Sequence, residues 1–369
     1  IIKKIEIGNV SLPLNGTLIT GSQSLFGVKT ELQFGRTTIT GILSQQKSTK
    51  SEIQVSGGSQ TSEFDVYADQ YEANKHYFLA HYFKDQYDKV LDQLPFINSQ
   101  VNITKIEVWI TNKTGTTNET RNVIPFLDLG ETASNIYNDF SISNGGNFPD
   151  NEANNLFNLL TTSYSGVRDI NEVNNVLQST PLVNGTDFEK LEKARKLSTS
   201  EFSFNSQLGY ISLNQALNND EVLAVAFQYT IGSETYQVGE FSTSGPTAPD
   251  ALILKLLKGT TFTPFLPNWD LMMKNIYSIG AYQMSQDGFV LDIVYENTEE
   301  SGALTNYLIE ESEELIHGEP LIKVLNLDRL NKQMDVQSDG VFDFIEGITA
   351  KSSNGRIIFP VREPFGSYL

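Results

Sequence analysis

The segment DVQSDGVFDFIE, residues 335–346, carries the side chains in this sequence best spaced for chemistry. Asp335, Gln337, Asp339, Asp343 and Glu346 fall at positions 1, 3, 5, 9 and 12 of a loop, with Gly340 at the sharp turn. A calcium ion takes six to eight oxygens, and this spacing would let three side chains and the Val341 carbonyl converge while Glu346 closes the shell. The match is incomplete: position 3 is a neutral Gln337, and the following ITAKSSNGRIIFPV reads as a hairpin where a calcium loop would have a helix. An Asp-Gly turn between extended segments accounts for much of the same pattern. The expectation is therefore a candidate structural calcium loop, with no cofactor required.

Other constellations are weaker. His76 and His81 are five apart on one expected helix, hence on different faces, and His317 stands elsewhere. Glu299, Glu300, Glu310, Glu311, Glu313 and Glu314 read as a solvated acidic face. There is no cysteine nucleophile, GxSxG elbow, HExxH pair or phosphate-cradling glycine loop. No catalytic residues are assigned, and an enzyme is not expected.

The elements that must position these residues are mostly strands. Residues 1–56 read as extended hairpins, and in LFGVKTELQFGRTTITGILSQQ, residues 25–46, Phe26, Val28, Thr30, Leu32 and Phe34 alternate with Lys29, Glu31 and Gln33. A turn or bulge is expected near Gly35 and Arg36. The spacing predicts a helix over 69–94, a strand over 103–112, and short helices at 151–160, 169–178 and 187–198, the last with Thr186 and Glu189 in capping-box spacing. Hairpins follow at 201–213 and at 221–241, the latter turning at Gly232 and Ser233. STSGPTAPD, residues 242–250, reads as a linker, with short helices at 250–258 and 268–278 and a strand at 289–296 beyond it. The expected class is α+β, strand-rich, with antiparallel hairpins and several short helices. The expected division is 1–56, an α+β module at 57–245 and a second α+β lobe at 246–369.

The 369 residues include 45 acidic and 26 basic side chains, a net charge of −19 that repels phosphate backbones, so nucleic acid is excluded as a partner. No apolar run reaches the ~18–20 residues of a membrane helix. The amino end, IIKKIEIGN, is expected to be internal sequence of a longer protein.

Several long blocks together, SLFGVKTELQFGRTTITGILSQQKS, NITKIEVWITNKTGTTNETRNVIPFLDLGE, LGYISLNQALNNDEVLAVAFQYT and DGVFDFIEGITAKSSNGRIIFPVREPFGSYL, resemble the SprA/Sov family, the giant outer-membrane translocon of the type IX secretion system. The resemblance implies a fragment of a single-chain barrel of about 36 strands, with an extracellular cap over its pore. It also implies a role in protein export and gliding motility. The partners it implies are secreted cargo with type IX signals, a PorV-like barrel, a periplasmic plug protein and the outer membrane itself. Residues 1–56 would then be barrel strands or their extensions, and Tyr71, Phe78 and Tyr82 core or inter-lobe contacts. The alternative is a free-standing surface adhesin or glycan-binding module, with Trp109, Tyr229 or Trp269 as stacking platforms.

Overall fold

A computed structural model describes residues 2–10, 25–35, 37–44, 62–113, 115–141, 146–297, 303–307 and 318–366. The chain divides into two compact units, Ile1–Glu63 and Phe64–Leu369. In the first, β1 (Ile2–Val10), β2 (Leu25–Phe34) and β3 (Thr37–Ser44) form an antiparallel meander. The expected change of phase at Gly35 and Arg36 is a tight turn: Gly35 takes φ 63°, and Phe34 pairs with Thr37 across it. Val28 and Leu32 are half-buried, whereas Phe34 and Ile39 near the turn are exposed. The extended stretches expected at 11–20 and 53–55 lie outside the described residues.

The second unit is built around a closed ring of five strands. Its strands and helices run β4 (His76–Phe78), α1 (His81–Val90), β5 (Val101–Ile110), β6 (Thr120–Phe126), α2 (Leu156–Thr162), α3 (Val173–Leu177), β7 (Leu191–Lys196), β8 (Phe202–Asn205), β9 (Tyr210–Leu213), β10 (Leu223–Ile231), β11 (Glu234–Val238) and β12 (Leu252–Lys258). They continue with β13 (Ile276–Ser278), β14 (Tyr295–Asn297), β15 (Ala303–Thr305), α4 (Leu321–Val324), β16 (Ala350–Lys351) and β17 (Arg356–Ile358). Within the ring, β5 pairs with β10, β10 with β12, β12 in parallel with β6, β6 with β7, and β7 back with β5. The β10–β11 hairpin turns at Gly232 and Ser233 as the sequence indicates.

Side-chain alternation fills the ring. Leu252, Leu254 and Leu256 of β12 point inward with Val123, Leu191, Ala194 and Phe241, and the Trp109 indole stands opposite Ala224, whose methyl leaves it room. The outer faces are buried as well. Val108, Val225, Phe227 and Tyr229 pack on α1 and on the β4–β9–β8 sheet, whereas Ile124, Phe126 and Ile253 pack on α2 and α3. Beyond these layers, β13, β17 and β16 form a small sheet over Leu325, Leu327 and Phe342.

Three expected helices are strands or turns, for identifiable reasons. LILKLLK at 252–258 is buried on both faces beside a parallel neighbour, so its continuous apolar run belongs to a strand. Over 191–196, Lys193 at φ 50° turns Glu192 and itself outward together, and the resulting three-residue spacing of Leu191 and Ala194 imitates a helix. Glu189, expected to cap that helix, accepts hydrogen bonds from the Thr260 N–H and hydroxyl at 2.6 Å each. Residues 268–278 contain a 3-10 turn, Pro267–Leu271, and then β13. Helix 69–94 shortens to α1, because Tyr77, Phe78, Leu79 and Ala80 are all buried and β4 occupies part of that run.

The expected boundary near 245 is also corrected. The strand that follows it, β12, lies between β6 and β10, and the Arg121 guanidinium holds the intervening turn by donating to Pro246 O at 2.6 Å and Asp250 O at 3.0 Å. The segment is an internal connection of one unit.

Two left-handed glycines separate conformational from steric constraint. Gly355 takes φ 63° and a Cβ there would run into the Ala281 carbonyl, whereas Gly232 takes φ 60° with open space around it. Gly232→Ala is expected to cost about 1–2 kcal/mol from backbone conformation. Gly355→Ala is expected to cost a further ~1–3 kcal/mol from the clash. Urea unfolding of the two variants measures the difference, and equal losses would refute the packing at Ala281.

Candidate functional site

The ring and its covering layers bring together two buried polar groups. The first is built on strand register. His76 of β4 lies directly across from Ser212 of β9, with Nδ1 2.8 Å from the Ser212 hydroxyl and Nε2 2.9 Å from Glu72 Oε2. Burial lowers the His76 pKa against the raising effect of Glu72. The neutral ring then donates from Nε2 to Glu72 and accepts the Ser212 proton at Nδ1. Burial would raise the Glu72 carboxyl, but hydrogen bonds from His76, Lys75 and Arg356 outweigh it and hold it well below the carboxylate range. This order of hydroxyl, imidazole and carboxylate is that of a nucleophilic triad. Yet Ser212 is buried within the three-stranded sheet and lines neither of the two cavities described for the molecule. What the group does is clamp β4 to β9 and, through Arg356, both to β17.

The second group sits where the two outer layers meet on β12. Lys255 points away from the ring interior and is wholly buried. Its ammonium lies 2.8 Å from Glu131 Oε1 and also donates to the Leu127 carbonyl. The same Glu131 oxygen accepts from His81 Nδ1 at 2.9 Å and His81 N at 3.2 Å, and His81 Nε2 lies 2.9 Å from Pro267 O. Burial raises the Glu131 carboxyl, but Lys255 and His81 more than compensate and bring it down to about 2. Beside it, burial raises Asp128 despite hydrogen bonds from the N–H groups of Tyr137 and Asn138 at 2.9 and 2.8 Å. The second group thus joins α1, the segment after β6, β12 and the 3-10 turn at Pro267.

A cleft of about 400 Å³ opens next to α1, floored by Phe78, Met272 and Met273. Its rim alternates sign: Lys84 is 3.7 Å from Asp270, Lys274 is 3.7 Å from Glu363, and Arg362 Nε is 3.0 Å from Asp88. Such a rim selects neither an anion nor a cation strongly.

The residues of the expected calcium loop are either taken up by backbone donors or exposed. Asp343 is buried and accepts from the N–H groups of Arg329 and Leu330 at 2.6 and 3.1 Å, Glu346 accepts from Ser352 N at 3.0 Å, and Asp339 accepts from Val341 N at 3.1 Å. Asp335, Gln337 and Val341 are exposed. The residue that organises this loop is Asp328, which takes hydrogen bonds from the Ser338 hydroxyl and the N–H groups of Asp339 and Gly340. Among the described residues no group of three or more His, Asp or Glu side chains is placed to hold a metal ion.

The sequence missed Lys255, Glu131, Glu72 and Arg356. One signal was available: a lysine inside LILKLLK needs a buried carboxylate if that run is core. Of the stacking candidates, Trp109 and Tyr229 are core residues and Trp269 is half-buried against Phe262, which removes the first two as glycan platforms. Phe78 is core, and Tyr71 and Tyr82 pack partly against it. His317 and the glutamates at 299, 300, 310, 311, 313 and 314 lie outside the described residues.

A family model described as motility related/secretion protein, SprA_N, matches residues 1–231 of the chain. No curated protein matches it. The matched region starts in the first unit and stops at Ile231, the last residue of β10, so β12, needed to close the ring, lies beyond it.

Two outcomes follow from these charges. Glu131→Gln leaves the Lys255 ammonium buried without its counter-ion and is expected to cost about 3–5 kcal/mol, read from urea unfolding; a loss under ~1 kcal/mol would refute the pair. Glu131 is lowered from 4.5 to about 2 on folding, so its contribution is present above pH 4.5 and lost as pH falls toward 2. Asp343 acts in the opposite direction. Burial raises it from 3.8 to about 6, so its contribution is present below pH 3.8 and lost as pH rises through 6. Asp343→Asn is therefore expected to gain stability relative to the parent between pH 4 and pH 7, and a constant difference across that range would contradict the assignment.

Proposed function

Since this chain belongs to the SprA_N family of motility related/secretion proteins, we propose that it is a cap- and pore-associated segment of a type IX secretion translocon, which exports proteins across the outer membrane and supports gliding. The observation that carries the proposal is the family match itself, which runs from the first unit into the ring of the second.

The physics of each unit is compatible with a different part of that work. Strands β1, β2 and β3 are 9, 10 and 8 residues long, close to the ~9–11 that a tilted strand needs to cross lipid. Three strands cannot cross alone, because their edge N–H and C=O groups would meet hydrocarbon. They would have to continue into a larger barrel. The ring of the second unit is no conduit, since Trp109, Leu254 and Phe241 fill it. It is a packed body suited to walling or covering a wider pore formed elsewhere, with secreted cargo, a PorV-like barrel and a plug protein as its partners. Among the described residues no helix is long and apolar enough to span a membrane, which leaves strands as the proposed membrane contact.

The absence of cysteine from this region permits a direct test of placement. Phe265, 92% exposed, and Ala226, fully buried, are each replaced by cysteine in the full-length protein, and intact cells are treated with a membrane-impermeant maleimide. Labelling of Phe265→Cys on intact cells, with Ala226→Cys reacting only after denaturation, is the outcome expected for an extracellular cap. Labelling of Phe265→Cys only after the cells are broken would put this unit on the other side of the membrane.

A further inference from the structure

An apolar strip on the second unit faces away from its core. In the extended segment 289–297, Phe289, Leu291 and Ile293 turn inward onto the cluster around Phe342, Leu325 and Leu327. The Phe289 ring stacks on Phe64 and meets Phe342 at a tilt and Phe344 edge-on, the last two each at 5.5 Å between ring centroids. The alternate positions point outward: Val290 and Val294 are 67% and 52% exposed, with Asp292 and Glu296 exposed between and beyond them. The β14–β15 hairpin extends the strip, because Glu296 pairs with Leu304, itself 66% exposed, and cross-strand partners share a face.

Only Tyr295–Asn297 of this segment is a strand, but burial alternates along the whole of it, and a segment with one buried face normally shows polar side chains to water on the other. Here both faces carry large apolar residues, as in a segment covered on both sides. Among the described residues, the side chains of Asp292 and Glu296 make no hydrogen bond or ion pair, so the two carboxylates on the strip are uncommitted. They stand four residues apart on one face, about 13 Å along an extended chain.

We infer that this strip docks an extended segment of another protein whose every second residue, valine-like and then lysine or arginine in turn, faces the strip. The apolar side chains would cover Val290, Val294 and Leu304, and the cations would meet Asp292 and Glu296. Charge selects this occupant over a second copy of the chain. Two copies face to face would set these carboxylates against their equivalents, and each copy carries a net charge of −19.

The test uses a fluorescent synthetic peptide of the repeat valine–threonine–lysine–threonine, which places valine and lysine in turn on one face of an extended chain, titrated with the 369-residue chain and followed by anisotropy. Val290→Thr/Val294→Thr/Leu304→Thr and the isosteric Asp292→Asn/Glu296→Gln are each expected to weaken binding at least ~10-fold. The control Glu152→Gln/Glu234→Gln, which removes two exposed carboxylates elsewhere, is expected to leave binding unchanged, and the same repeat with glutamate in place of lysine is expected not to bind. Matching urea midpoints for the isosteric variant and its parent keep loss of fold out of the comparison. Equal binding by parent and strip variants, or equal loss in the control, would overturn the inference. So would a dimer in sedimentation that the threonine variant dissolves, since it would make the occupant a second copy.

Discussion

A lysine ammonium lies near the centre of the second unit with no access to water. Lys255 is the outward-facing residue in the middle of β12, and β12 is the strand that closes the ring. Leaving that ammonium buried without its counter-ion would cost several kcal/mol, a large share of a domain's net stability. Closing the ring at full stability therefore requires that Glu131 and the Leu127 carbonyl be delivered to that point. Glu131 in turn accepts from His81, which fixes the start of α1 and, through Pro267 O, the turn leading toward β13. One charge thus sets the relative placement of four segments distant in sequence. A hydrophobic contact at the same place would bury comparable area with less directional demand.

Much of the architecture is legible in the sequence where one rule dominates locally. The 221–241 hairpin has alternation, a glycine turn and β-branched composition in agreement, and it forms in the expected place. The turn at Gly35 follows from a break in phase between Phe34 and Ile39. The failures occur where tertiary burial overrides the local pattern. LILKLLK has no periodicity because both faces are buried, and LEKARK has a false one because Lys193 bends the strand. The linker reading of STSGPTAPD rests on composition, which cannot register that Arg121, 125 residues from Pro246, holds the turn in place. Strand partners chosen across such separations are not encoded in any short window.

The site residues divide in the same manner. The acidic spacing of 335–346 is visible, but whether the carboxylates converge depends on what the backbone around them needs. Asp343 and Glu346 are taken up by N–H groups of Arg329, Leu330 and Ser352, while Asp328, outside the motif, gathers the loop. The Glu72, His76 and Ser212 order is created by register between β4 and β9, which lie 134 residues apart and have no common sequence signature. These buried polar groups share one physical effect. They hold layers of the second unit in place, and none of them opens onto a cavity described for the molecule.

The claim on which the rest depends is that β12 closes one ring within a unit that extends across residue 245. Native-state hydrogen exchange under increasing denaturant measures this directly, because amides that open together share one free energy and one denaturant dependence. The amides of Leu252–Lys258 are expected to exchange with those of β5 and β10 in a single opening event. Exchange of Leu252–Lys258 together with the segments that follow it, in a separate event that leaves β5 and β10 protected, would contradict the closed ring and restore two independent lobes.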